Sequence, residues 1–322
     1  MNAGRLLLWA AVIVTPVSIF GNPADSSGGA TIHWLDASSR TACLILPQRD
    51  LLIDTADNPA AEHLWVYLHL PRKFNADTPF VIVLPILGGS DLWIENRFAA
   101  ALTRRGLAAG ILILPQQFNR RYFLSLPSGK LFLDRNPERL ANNFKQSLKD
   151  IQTLITALQQ GLALGGAGAG DGRWKPKKFG ILGTSLGGIV GSVAMSRDER
   201  LQAGAFLLAG SDPASILTEG DETRRVAKKL GATRSTLAGL LEDFDLNGLT
   251  ARKNPGGIWK GRPILLIHAI WDGVIPRPAR RALDEAIPHA QITHIPAGHV
   301  SAIVYIGWIK NKVAKFFEEN LQ

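Results

Sequence analysis

The chain has a single cysteine, Cys43, among its 322 residues, so no intrachain disulfide can form and stability must come from a packed core. HExxH and Cys/His clusters are missing as well, which removes the usual spacing signals of a metal site. No long block of one charge sign occurs, so extended disorder or an interaction tail is not expected. The net charge of +9 comes from scattered Lys and Arg, with no basic run alternating with aromatics, and nucleic acid is not an expected partner. Neither G-x-G-x-x-G nor a phosphate loop ending in G-K-[ST] is found; the glycine-rich "GLALGGAGAGDG" (161 to 172) fits neither and reads as a flexible connection. There is no internal repeat.

An apolar run long enough to span a bilayer is lacking too. The N-terminus carries one positive residue, Arg5, then an apolar stretch of 15 residues from Leu6 to Phe20, interrupted at Pro16. A spanning helix needs roughly 20. With the Gly/Ser/Pro-rich segment that follows, residues 1–24 read as an export signal, which predicts a secreted or periplasmic protein. No A-x-A cleavage site follows, so an uncleaved anchor, associating with the membrane through residues 6–20, is the alternative.

What the chain does have is 46% hydrophobic residues and enough length for one large α/β domain. Apolar runs at 64–70, 80–86, 110–115, 178–182, 205–210 and 263–269 alternate with stretches of helical period, the pattern of βαβ units in a largely parallel sheet. Several lack alternation, as strands covered on both faces should. An N-terminal segment, 25–60, precedes them, with an edge pair expected around 44–54. After Asn136 and Pro137, a cap and a first-turn residue, Leu140, Phe144, Leu148, Ile151, Ile155 and Leu158 recur at helical spacing and predict a core-facing helix. Two inserts at strand ends, 116–134 and a cap-like helical stretch over 212–261, are candidate pocket walls.

Gly183-Thr184-Ser185-Leu186-Gly187 fits G-x-S-x-G, between the strand "KFGIL" and the helical run "GGIVGSVAMS". At such a turn the serine is strained and its hydroxyl projects from the sheet's end, so neighbours two residues away must be small. A serine hydroxyl is a weak nucleophile without a base, and the base needs an acid to hold its tautomer. "HAIWDGVIP" places Asp272 just past the last strand candidate, and "PAGH" places His299 in a loop before the C-terminal helical segment. Asp212, after the preceding strand, is the backup acid; His33, His63, His69, His268, His289 and His294 have no such context.

In "GTSLGG", "HAIWDGVIP" and "PAGH", in that order, the chain resembles the α/β-hydrolase superfamily over residues 61–322. The resemblance implies a mostly parallel central sheet flanked by helices, with the 212–261 insert between the late strands, and no cofactor. It implies Ser185 as nucleophile, His299 as general base and then acid, and Asp272 as the orienting acid. The oxyanion donors would be the backbone N–H groups of Leu186 and of Leu87, although the family's His-Gly-x reads Pro85-Ile86-Leu87 here. The expected activity is ester hydrolysis on a small-molecule substrate through an acyl-enzyme. A peptidase, amidase or thioesterase of the same fold, and a non-catalytic binding protein, are the alternatives. Tyr122 and Phe123, with Leu124 and Phe132, are candidate acyl-pocket residues, and Arg120 and Arg121 candidate partners of a substrate carboxylate.

Overall fold

The computed structural model describes residues 29–36, 40–55, 58–164, 173–253 and 259–322. The leader expected over 1–24, and residues 165–172 of the glycine-rich connection, lie outside the described residues. Among those described, no helix is long and apolar enough to cross a membrane.

Strand β1 (Thr31–Asp36) pairs antiparallel with β2 (Thr41–Pro47), and β2 pairs along its length with β3 (His63–His69). The edge pair therefore lies earlier than the expected 44–54. Pro47, which has no N–H to offer a ladder, is the last residue of β2 to pair, opposite His63. Next come β4 (Phe80–Leu84), α1 (Trp93–Arg104), β5 (Ala108–Leu112) and α2 (Pro137–Gln160). A two-residue ladder, β6 (Leu162–Ala163) with β7 (Arg173–Trp174), brackets the glycine-rich stretch. Then follow β8 (Phe179–Thr184), α3 (Leu186–Arg197) and β9 (Leu201–Leu207). The insert contributes α4 (Pro213–Glu219), α5 (Arg224–Leu230), α6 (Arg234–Leu240) and α7 (Leu246–Lys253). The chain closes with β10 (Ile264–Ala269), α8 (Arg277–Ala286), β11 (Gln291–Ile295) and α9 (Ile306–Leu321).

Nine strands form one sheet in the order β1-β2-β3-β5-β4-β8-β9-β10-β11, parallel from β5 onward and antiparallel before it. The order reverses at β4, which has β5 on one side and β8 on the other. Open α/β sheets place their sites at the carboxyl ends of strands at such a reversal, because the connecting helices leave to opposite faces and open a crevice.

The two faces explain the unalternating apolar runs. In β4, Phe80, Ile82 and Leu84 pack with α2 and α3, while Val81 and Val83 pack with α1 and α9. The Asn136 side chain accepts the Glu138 and Arg139 N–H groups and starts α2, whose expected stripe from Leu140 to Leu158 is buried. The edge strand β11 escaped the apolar reading because only Ile295 of its five residues is buried.

Candidate active site

Ser185 sits between the last residue of β8 and the first of α3, with φ 54° and ψ −116°, a conformation that costs a non-glycine residue of order 1 to 3 kcal/mol. The turn is held from both sides. Ser185 N–H donates to Leu207 O on β9 (2.8 Å), and Ser185 O accepts from Gly188 N–H (2.9 Å) and Ile189 N–H (3.0 Å). The flanking glycines are required by contact distance: a Cβ at Gly183 would lie 2.0 Å from Gly187 O, and one at Gly187 would lie 2.4 Å from Leu84 O.

Asp272 follows β10 and is buried. Its Oδ1 accepts the N–H groups of Val274 and Ile275, both at 2.9 Å, which fixes the carboxylate plane. Its Oδ2 lies 2.8 Å from His299 Nδ1, and His299 Nε2 lies 2.9 Å from Ser185 Oγ. A carboxylate only accepts, so Nδ1 carries the proton, and Nε2 of the neutral ring accepts from the serine hydroxyl. Two backbone bonds, Ile270 N–H to Ile295 O (3.0 Å) and Trp271 N–H to Ala297 O (2.9 Å), tie the acid loop to the histidine loop. The structure thus brings Ser185, His299 and Asp272 into one hydrogen-bonded line, drawn from the ends of β8, β11 and β10.

The other candidate acid is occupied elsewhere. Asp212 caps α4 by accepting Ser215 N–H (3.0 Å) and pairs with Arg234 (2.6 Å). His268, buried on β10, bonds Asp284 on α8 (2.8 Å), and His294 is exposed on β11.

A cavity of about 350 Å³ opens beside Ser185. Leu133, Phe144, Leu186, Ile189, Ile216 and Leu217 wall it on the α2–α4 side, and Phe98, Ile267, Ile306 and Ile309 on the α1–α9 side. Glu222, just before α5, is the only carboxylate, Lys or Arg of the lining among the described residues. Leu186 and Leu87 both line this cavity.

The loop that carries Leu87 is clamped by two buried side chains that the sequence reading did not single out. Glu95 Oε1, on α1, accepts Ile86 N–H (3.1 Å), and Gln117 Nε2 donates to Ile86 O (3.2 Å). Burial pushes the Glu95 carboxyl up to about 7, against the opposing pull of its own N–H and that of Ile86. The signal was faint: a glutamate in the first turn of a helix is ordinary on the surface, and only burial marks this one.

Tyr122 and Phe123 need correction. They line a separate hollow of about 80 Å³ with Leu52, Arg139 and Asn143, not the cavity at Ser185. Their segment is pinned away from the site, since Asn58 Nδ2 donates to Asn119 O (2.8 Å) and Arg121 O (2.6 Å), and Gln116 Oε1 accepts Tyr122 N–H (2.9 Å). Phe132 is core, and Leu124 is exposed. Arg120 does meet a carboxylate, but an internal one: it is fully buried against Asp150 at 2.6 Å. Arg121 spends its guanidinium on Phe118 O and Leu126 O.

The sheet order, its reversal at β4 and the strained serine turn at the end of β8 can now be compared with known proteins. No protein-family model and no curated protein matches the chain. Solved structures do. An S-formylglutathione hydrolase from Agrobacterium tumefaciens is similar at a TM-score of 0.59 and 13% identity, over 90% of this chain and 99% of that one. A cold-adapted esterase from an Arctic intertidal metagenomic library is similar at 0.54 and 12%, over 92% and 99%. The fold is that of the α/β-hydrolases. A third α/β-hydrolase, the acylaminoacyl peptidase of Pyrococcus horikoshii, is similar at 0.57 and 14%, over 84% of this chain but 41% of that longer one. At these identities the likeness concerns the fold, and the chemistry rests on the residues at the site itself.

Proposed function

We propose that the protein is a serine hydrolase that cleaves carboxylic esters through an acyl-enzyme. The observation that carries this reading is the line from Asp272 through His299 to a strained Ser185 at the mouth of an apolar cavity. Ser185 Oγ attacks the substrate carbonyl carbon as its proton passes to His299 Nε2, and Asp272 steadies the resulting imidazolium through Nδ1. The tetrahedral oxyanion accepts from the N–H groups of Leu186, at the positive end of α3, and Leu87. The alkoxide leaves with the Nε2 proton. Water then attacks the acyl carbon, gives its proton to His299 and releases the acid, restoring the Ser185 hydroxyl.

Ester rather than peptide cleavage is favoured by the lining. The cavity offers a peptide almost no hydrogen-bonding wall, whereas its apolar sides suit an acyl chain. One of the structural relatives is named an esterase, which agrees with this reading. Residues 1–24 add export to the proposal, with the uncleaved anchor as its alternative.

A fluorescent fluorophosphonate, read by gel and intact mass, tests the chemistry. The purified protein should take up one label, lost in Ser185→Ala, and should hydrolyse p-nitrophenyl esters. A well-folded wild type that neither labels nor turns over would leave a non-catalytic binding protein. The N-terminal mass of the protein recovered outside the cytoplasm tests export: a mature chain beginning near residue 25 is expected, and a full-length membrane-bound chain would support the anchor.

A further inference from the structure

The mouth of the cavity is rimmed by large apolar side chains that point into solvent. In the loop after β10, Ile270 and Trp271 are exposed, the latter at 68%. In the turn after His299, Val300, Ile303 and Val304 are exposed, at 73%, 42% and 79%. Trp308, near the start of α9, and Trp93, at the start of α1, are also exposed. Helices α1 and α9 run side by side with their carboxyl ends joined, Arg105 to Glu318 and Gln322 to Arg105 O, so their starts, with both tryptophans, come to the same end of the sheet. Val300 and Ile303 also line the cavity, so the turn after His299 carries its apolar wall out to the exposed rim.

Isolated exposed apolar residues are ordinary, but a contiguous patch around a cavity mouth marks a surface that is covered in use. Charge indicates what covers it. The Arg97 guanidinium lies 4.0 Å from the Trp93 ring centre, and Lys312 Nζ lies 5.5 Å from that of Trp308. Neither cation pairs with a carboxylate among the described residues. Of the acids nearby, Asp91 is engaged by Trp93 N–H at 2.9 Å, and Glu222 lies on the opposite, α5 side of the cavity. Indole rings with adjoining cations suit the headgroup region of a bilayer, where the ring spans the polar boundary and the cation meets lipid phosphate.

We infer that the cavity mouth docks on an anionic lipid surface, with Trp271, Val304 and Trp308 entering the headgroup boundary and Arg97 and Lys312 facing phosphates. Ser185 then faces the bilayer, and an apolar substrate reaches it without crossing water. This docking is separate from the proposed chemistry, because vesicle binding needs no turnover.

Co-sedimentation of the full chain with phosphatidylcholine vesicles, with and without phosphatidylglycerol, tests the inference. Binding should require phosphatidylglycerol and weaken with salt. A double variant, Trp308→Ser with Val304→Asp, should lose at least about tenfold in bound fraction while keeping wild-type fluorophosphonate labelling. Failure of the wild type to bind, indifference to phosphatidylglycerol, or undiminished binding by the double variant would each overturn it. So would light scattering that shows a wild-type dimer split by the same substitutions, which would make a second copy of the chain the occupant. Loss of labelling in Ser185→Ala with vesicle binding intact keeps the two proposals distinguishable.

Discussion

Glu95 Oε1 accepts the N–H of Ile86 at 3.1 Å from a position only 2% exposed, so a buried carboxylate on α1 fixes the backbone immediately before Leu87. Where the α/β-hydrolase loop commonly carries glycine, this chain holds a Pro-Ile-Leu loop in place with a side-chain clamp, completed by Gln117 on the carbonyl of the same residue.

The clamp titrates. Burial raises the Glu95 carboxyl from its ordinary 4.5 to about 7, so between those values the folded protein binds the proton more tightly than the unfolded chain. Stability from this group is therefore full below pH 4.5 and declines as pH rises through 7. Glu95→Gln should remove that decline: relative to wild type, its thermal midpoint should be higher at pH 8 than the comparison at pH 5 would suggest. Midpoints that differ equally at both pH values would refute the assignment.

Glu95→Ala removes the acceptor altogether. If Leu87 N–H serves the oxyanion, kcat should fall by about one to two orders of magnitude with KM little changed, since a misplaced donor is felt mainly in the transition state. Steady-state kinetics on a p-nitrophenyl ester decide; a rise in KM alone would place the loop in substrate binding instead.

Asp272→Asn should keep the fold, because Oδ1 can still accept from Val274 and Ile275, but should allow the wrong imidazole tautomer at His299. The expected loss in kcat is roughly 10³ to 10⁴. Activity within about tenfold of wild type would return Asp212 to consideration as the acid.

Gly183→Ala and Gly187→Ala should fail to fold stably, since each Cβ would fall within 2.4 Å of a backbone oxygen. Ser185→Gly, by contrast, should raise the free energy of unfolding by about 1 kcal/mol, as the positive-φ strain is released and activity is lost. Chemical denaturation separates the two outcomes, and a destabilised Ser185→Gly would contradict the strain.

Arg120 and Asp150 predict a structural, not a binding, phenotype. Arg120→Met leaves a buried carboxylate with only the Gln48 and Gln146 amides and should cost about 3 to 5 kcal/mol. Adding Asp150→Asn should recover part of that loss by removing the charge while keeping an acceptor. A single substitution that costs under about 1 kcal/mol would show the pair to be dispensable.

Local sequence carries those parts of the molecule whose physics is local. The G-x-S-x-G turn is legible because two Cβ atoms there would collide with backbone, and the α2 start because Asn136 and Pro137 act within one turn. The inner strands are legible because both their faces are covered, and the order Ser185, Asp272, His299 because each follows a strand. What only tertiary structure decided depends on residues far apart in the chain. The exposed edge strand β11 has no apolar pattern to read. Tyr122, Phe123 and Arg120 look like pocket residues until Asn58 and Asp150, remote in sequence, draw their segment against α2. Glu95 becomes a clamp, and Trp271, Val304 and Trp308 a common rim, only once the sheet brings the strand ends together, because burial and adjacency are properties of the packed chain and not of any short stretch of it.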